Sequence, residues 1–257
     1  MVRPVVRAEG FEPPRLAPLE PKSSVSANST TPAFVHGQSS QAQSSQGQSL
    51  RGQSLRDQSE AAHVAETLRR ANTGRMVDSH DPGGKVRLKL AADIVSAAAF
   101  SECRRWRWWL ERRWDGQPLG TPGFGVVIGM NPSTADLQTD DPTVAGCVFR
   151  ARYRWGLPAL VMLNAFAYRA TNKKRLLDVE DPVGAENDAT IAHYARSAAL
   201  VVVAWGQPPK ALAGRGIEVA ALLRGVGVSP LCFGFNSDGS PKHPLYQKRD
   251  AALVPCA

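Results

Sequence analysis

Four short apolar runs lie between residues 124 and 235, and they constrain the fold of this chain more than any other feature. They read "FGVVIGM" (124–130), "ALVMLN" (159–164), "ALVVVAW" (199–205) and "PLCFGF" (230–235). None alternates polar with apolar residues, so each suits a strand covered on both faces. Helical segments stand between them. "DDPTVAGCVFRARYRWG" offers Asp141 as N-cap and Pro142 at the first helical position, and it stops at Gly156. "EDPVGAENDATIAHYARSA" repeats the device with Asp181 and Pro182, with Val183, Ile191, Tyr194, Ala195 and Ala198 as its apolar stripe. "KALAGRGIEVAALLRGVG" supplies a third helix with a glycine stop. Strands that alternate with helices predict an α/β domain with three layers, αβα, around a mainly parallel central sheet. Its expected span is residues 90–257.

"CRRWRWWLERRW" (103–114) reads differently. Trp106, Trp108 and Leu110 alternate with Arg105, Arg107 and Trp109, a period of two. That predicts a strand with one buried face, antiparallel or at an edge. A helix also fits, because Trp108 and Arg112 are four apart. The tryptophans suit core packing better than base stacking.

In open α/β sheets, ligands bind in the loops beyond the carboxyl ends of the strands. Here each apolar run leads into polar sequence at that end: "NPSTADLQTDD", "NAFAYRATNKKR", "WGQPPK" and "NSDGSPKHPLY". One edge of the sheet should therefore gather Asn131, Ser133, Thr134, Asp136, Asn164, Tyr168, Arg169, Trp205, Asn236, Asp238 and His243. Asn131-Pro132 fits an ordinary turn as well as a site, since the residue before proline is held out of the helical region. Arg169, Lys173, Lys174 and Arg175 suit phosphate contacts or a solvated helix start. Asp136 and Asp140 lack a third ligand, so no metal is expected. The glycines around Gly123 follow no strand and make no dinucleotide fingerprint.

Composition narrows the function classes. The chain carries 31 Lys+Arg against 23 Asp+Glu, a formal charge of +8. The surplus admits a polyanionic partner without requiring one. Four widely spaced cysteines, with no CxxC pair, fit neither a zinc or iron–sulfur site nor a disulfide framework and suit a reducing cytoplasm. No apolar run is long enough for a membrane span. The expectation is a cytoplasmic monomer without membrane, metal or cofactor.

Residues 1–80 are expected to carry no fold. "GQSSQAQSSQGQSLRGQSLRDQS" (37–59) has almost nothing to bury and reads as disordered. "GFEPP" is also what a transfer-RNA-gene T-loop would encode, which suggests an upstream start codon and a true beginning nearer Met76.

The strand-end motifs carry two resemblances. "GMNPSTAD", "DDPT", "RWG", "NAFAYRAT", "DPVGAENDA", "AWG" and "DGSPKHPLY" closely resemble an uncharacterised bacterial family known only as a domain of unknown function, over most of residues 97–250. The order of the motifs more distantly resembles the uracil-DNA glycosylase superfamily, in which a strand ends in Gly-x-Asn-Pro-Gly and a late loop carries His-Pro-Ser. That resemblance implies the glycosylase-like fold and an enzyme that hydrolyses an N-glycosidic bond of a nucleobase in DNA, RNA or a nucleotide. It gives Asn131 the role of placing water, Asn164 that of base recognition, and His243 that of stabilising the departing base. Ser133 stands where mismatch-type members have glycine, and "HPLY" replaces His-Pro-Ser. Enzymes that act on bases close their pockets by aromatic stacking, for which Phe166, Tyr168 and Trp205 are candidates; Ser133, Thr134 and Arg169 complete the expected substrate contacts. A non-catalytic nucleic-acid or nucleotide-binding module of the same fold is the alternative. A hydrolase of small molecules with Asp136 as base is a weaker third.

Overall fold

The computed structural model describes residues 86–256. The Gln/Ser tract, the suggested start at Met76 and all other expectations for residues 1–85 lie outside the described residues.

Nine strands run in chain order as β1 (Leu88–Lys89), β2 (Val95–Phe100), β3 (Arg107–Arg113), β4 (Gly125–Gly129), β5 (Thr139–Asp140), β6 (Ala159–Asn164), β7 (Leu200–Val203), β8 (Leu231–Cys232) and β9 (Val254–Pro255). Three α-helices join them: α1 (Pro142–Tyr153), α2 (Asn187–Ser197) and α3 (Arg215–Gly225). Seven strands form one sheet in the order β2-β3-β6-β4-β7-β8-β9, and β1 pairs with β5 separately. The pairings β6–β4, β4–β7 and β7–β8 are parallel; β2–β3, β3–β6 and β8–β9 are antiparallel. The expected mainly parallel sheet is therefore a mixed one, with a parallel centre and antiparallel margins.

All four apolar runs contain a strand. Every residue of β4 and β6 is buried, as unbroken apolar runs require of strands covered on both faces. Two cores flank the sheet. Val126, Ile128, Val161, Leu163, Val201 and Val203 face α2 and α3 through Ile191, Tyr194, Val219 and Leu223. Val127, Leu160, Met162 and Val202 face α1 through Val144, Cys147, Val148 and Ala151. The class is mixed α/β with helices on both faces of a central sheet.

The Asp141 cap forms as expected: its side chain accepts the Val144 N–H and Pro142 opens α1. Asp181 behaves otherwise. Its carboxylate accepts the Gly184 N–H at 2.8 Å and closes a turn, while α2 begins six residues later at Asn187. Gly184 explains the delay. It adopts a φ of +86°, which ends helical continuation, and a Cβ there would stand 2.6 Å from the Trp108 ring.

The larger correction concerns β3. It is an antiparallel strand one place in from the sheet margin, as its sequence suggested, but all seven residues are buried, including Arg107, Glu111, Arg112 and Arg113. Alternation of tryptophan and arginine does not mark a wet face here, because each charge finds partners. Arg112 donates Nε–H to Asp140 Oδ1 at 3.0 Å and Nη2–H to the Asp136 and Thr139 carbonyls. Arg113 pairs with Glu111 at 3.2 Å, and Glu111 also accepts the Gly120 N–H at 3.0 Å.

Breaking such a pair from one side leaves a buried charge without its partner. Arg112→Leu is expected to destabilise the fold by about 3–5 kcal/mol in urea unfolding. Arg112→Leu combined with Asp140→Leu should recover part of that loss. A single-variant cost below about 1 kcal/mol would show the pair to be solvated instead.

Candidate functional site

The chain leaves β4 toward β6 on one side of the sheet and later adds β7 on the other. The carboxyl end of β4 is thus the topological switch point, where diverging loops open a crevice. A cavity of about 790 Å³ lies there.

The β4 end supplies Gly129 to Thr134, the β6 end supplies Asn164 and, farther on, Ala170 to Lys173, and the β7 end supplies Trp205, Gly206 and Gln207. The late loop adds Asn236, Lys242, His243 and Leu245 to Gln247. Asp141 to Val144 form another wall at the start of α1, with Arg107 and Met162 also in contact and Val86 at the amino-terminal side.

Asn131 is half-buried and its amide group is fully committed on the donor side. Nδ2 donates to the Ala170 carbonyl at 2.6 Å and to the Pro132 carbonyl at 3.0 Å. The Ala170 N–H returns a bond to the Pro132 carbonyl at 2.9 Å, so the β4 and β6 loops are locked together. Asn131 keeps Oδ1 as its acceptor. Asn164 is the reverse case: Oδ1 accepts from Arg107 Nη2 at 3.1 Å and its backbone carbonyl accepts from Asn187 at 3.0 Å, which leaves Nδ2 as donor.

His243 sits between loop and sheet. Its Nδ1 accepts the Leu245 N–H at 3.3 Å, which puts the proton of the neutral ring on Nε2. Burial lowers its pKa below the usual 6.5; Asp141 opposes that shift and Lys173 adds to it. Gly206, with a φ of +69°, lets the imidazole close in, since a Cβ there would stand 3.0 Å from His243 Cβ. Arg150 of α1 clamps the same loop from below. Its Nη2 reaches the carbonyls of Pro244, Gln247 and Lys248 at 3.1, 2.7 and 3.1 Å. Its guanidinium also lies over Phe233.

Arg107 carries the buried charge of the site. Burial pushes its pKa down to about 9 against the pull of Asp141 and Asp140, so it remains cationic at neutral pH. Lys173 and Lys242 add positive charge, and Lys173 donates to the Gln207 carbonyl at 2.6 Å.

Of the residues proposed from sequence, Asn131, Ser133, Thr134, Asn164, Trp205, Asn236 and His243 meet at this cavity. Five others do not. Asp136 turns its carboxylate onto its own loop, where Oδ1 accepts from Gln138 N, Thr139 N and Thr139 Oγ1. Asp238 does the same with Ser240. Phe166 lies in the core, and Tyr168 packs edge-on against Trp106 with ring centres 5.5 Å apart. Arg169 is buried over Phe100 and donates to the Arg104 carbonyl.

Sequence reading missed Arg107, Asp141 as a wall of the site, Gly206 and Arg150. Asp141 was legible only as a cap. Gly206 had a signal, as a glycine directly after a buried strand. Among the described residues, no group of three or more His, Cys, Asp or Glu is placed to hold a metal ion. No helix among them is long and apolar enough to cross a membrane.

Residues 107–245, over half of the chain, match the family described as "Protein of unknown function (DUF1643)", and the chain belongs to that family. No curated protein and no solved structure matches it.

The His243 geometry has a measurable consequence. An imidazole buried in its neutral form binds its proton later than the same ring in the unfolded chain. Between the two pKa values the unfolded state holds more protons, so stability rises with pH there and falls as pH drops below 6.5. NMR titration of histidine ring carbons, assigned with His243→Gln, should give His243 a pKa below 6.5. Titration at or above that value would contradict a buried neutral ring.

Proposed function

We propose that this member of the family binds a nucleobase in the switch-point cavity and hydrolyses its N-glycosidic bond, in nucleic acid or in a nucleotide. One observation carries the reading: an amide with only its oxygen left to offer and a neutral imidazole with its proton on Nε2 line the same crevice. These are the two tools that glycosidic cleavage needs. The bond breaks with its electron pair passing to the base, while the sugar carbon gains oxocarbenium character and is captured by water. Asn131 Oδ1 would accept a hydrogen bond from that water and aim its lone pair at the sugar carbon. The water proton passes to solvent or to the departing base. His243 Nε2–H would donate to the base as negative charge develops on it, the role of an oxyanion-hole donor.

Other features support the reading. Trp205 offers a stacking surface for a flat ring, and Arg107, Lys173 and Lys242 give the cavity a positive field suited to a phosphate-bearing ligand. The order in which Asn131-Pro132, Asn164, Gly206 and His243-Pro244 leave the sheet is similar to that in the uracil-DNA glycosylase superfamily. A hydrolase with a glycosylase-like fold that acts on nucleic acid or nucleotides follows from that similarity.

A non-catalytic binding module is the second reading, favoured by Asp141. Asp141 is the carboxylate that lines the cavity, and its Oδ1 is engaged as the cap of α1. The two readings separate in an assay for abasic sites and released base over a panel of modified and mismatched oligonucleotides. The enzyme reading predicts turnover by the parent. Asn131→Ala should then slow the chemical step with affinity retained, and His243→Gln should add about 2–4 kcal/mol to the barrier. No turnover, with affinity lost in both variants, would establish the binding module. Turnover that survives both substitutions would move the site elsewhere.

A further inference from the structure

Arg107 decides which way round Asn164 sits. A guanidinium carries donors only, so the atom that meets Arg107 Nη2 at 3.1 Å must be the amide oxygen. The second arm of the fork, Nη1, is fixed on the Ala135 carbonyl at 3.1 Å, so the guanidinium cannot turn away. The Asn164 backbone is held in turn by β6 and by Asn187. Nδ2 lies over Gly129, where a Cβ would stand 3.0 Å from it. Among the described residues no protein acceptor reaches Nδ2, and the side chain lines the cavity.

We propose that Arg107 makes Asn164 a donor-only reader, so that the cavity selects a ring bearing a carbonyl oxygen at that point and rejects one bearing an amino group. The inference rests on the reading of the cavity as a nucleobase site and adds to it the feature of the ring that is recognised. An unconstrained asparagine could flip its amide and accept from an amino group. Here the flip would bring Nδ2–H against the Arg107 N–H and strand both as buried donors. An amino-bearing ring would meet Asn164 donor to donor, with neither side satisfied. The discrimination expected from one such mismatch is roughly 10- to 100-fold in affinity. Arg107 is a positioning residue in this scheme, since it acts through Asn164.

The test uses the full chain and ring pairs that differ in an oxo against an amino group: hypoxanthine with adenine, and uracil with cytosine. Calorimetric titration of the parent should favour the oxo member of at least one pair by tenfold or more. Asn164→Asp keeps a partner for Arg107, so its thermal midpoint should stay near the parent's, but its carboxylate can only accept. The preference should vanish or reverse toward the amino member. Arg107→Lys, with a single ammonium in place of the fork, should narrow the ratio more than it weakens binding of the better ligand. Equal binding of both members by the parent, or a preference for the amino member, would overturn the selection while leaving the nucleobase site standing. Failure of all four bases to bind would overturn the site reading, and this inference with it. If Asn164→Asp does not fold, the parent's ratios still decide.

Discussion

The arginines of β3 must find acceptors once their strand is enclosed, and the rest of the site follows from where they find them. Arg107 takes the Ala135 carbonyl; Arg112 takes the Asp136 and Thr139 carbonyls and the Asp140 carboxylate. All of these acceptors belong to the segment that connects β4 to α1. A loop that would otherwise wander from the sheet edge is thus drawn back across β3. That places Asn131 and the Asp141 cap on opposite sides of one crevice. Burial of guanidinium groups is costly on its own, and only a full set of hydrogen bonds makes it tolerable. The same bonds that satisfy the charge shape the cavity.

Two further devices act on the other walls. The mutual bonds of Asn131, Pro132 and Ala170 tie the β4 loop to the loop after β6. Arg150 reaches from α1 to three carbonyls of the late loop and sets His243 over Gly206. The site is therefore built by backbone carbonyls that accept from long, buried side chains, with few direct contacts between the reacting groups. This separates support from chemistry: Arg107, Arg112 and Arg150 hold shape, while Asn131, Asn164 and His243 keep atoms to offer a ligand.

Much of this was legible in the sequence. Unbroken apolar runs identified β4, β6, β7 and β8 because strands covered on both faces leave no room for alternation. Their polar exits led to Asn131, Asn164, Trp205 and His243 because a parallel centre directs those exits to one edge. The β3 arginines were hidden for a physical reason: a charged residue in a period-two pattern reads as wet, and its acceptors come from a loop 24 to 28 residues away. Phe166, Tyr168 and Arg169 were expected at the cavity because they follow β6. Instead the chain stays extended past Asn164, bonding to Met130, Pro182 and Arg105 carbonyls, and these side chains turn into the core. The helix expected at Asp181 waits for Asn187 because Gly184 closes a turn against two tryptophans, a contact no local pattern reveals.

The claim at the centre of this account is that a nucleobase occupies the crevice at the carboxyl end of β4, with its edge on Asn164 and its glycosidic side toward Asn131 and His243. A crystal structure of the full chain soaked with a nucleoside tests it most directly. The account predicts density for a flat ring within hydrogen-bond distance of Asn164 Nδ2, and the sugar on the Asn131 side. A ring bound outside this cavity, or one whose edge meets neither Asn164 nor His243, would contradict it.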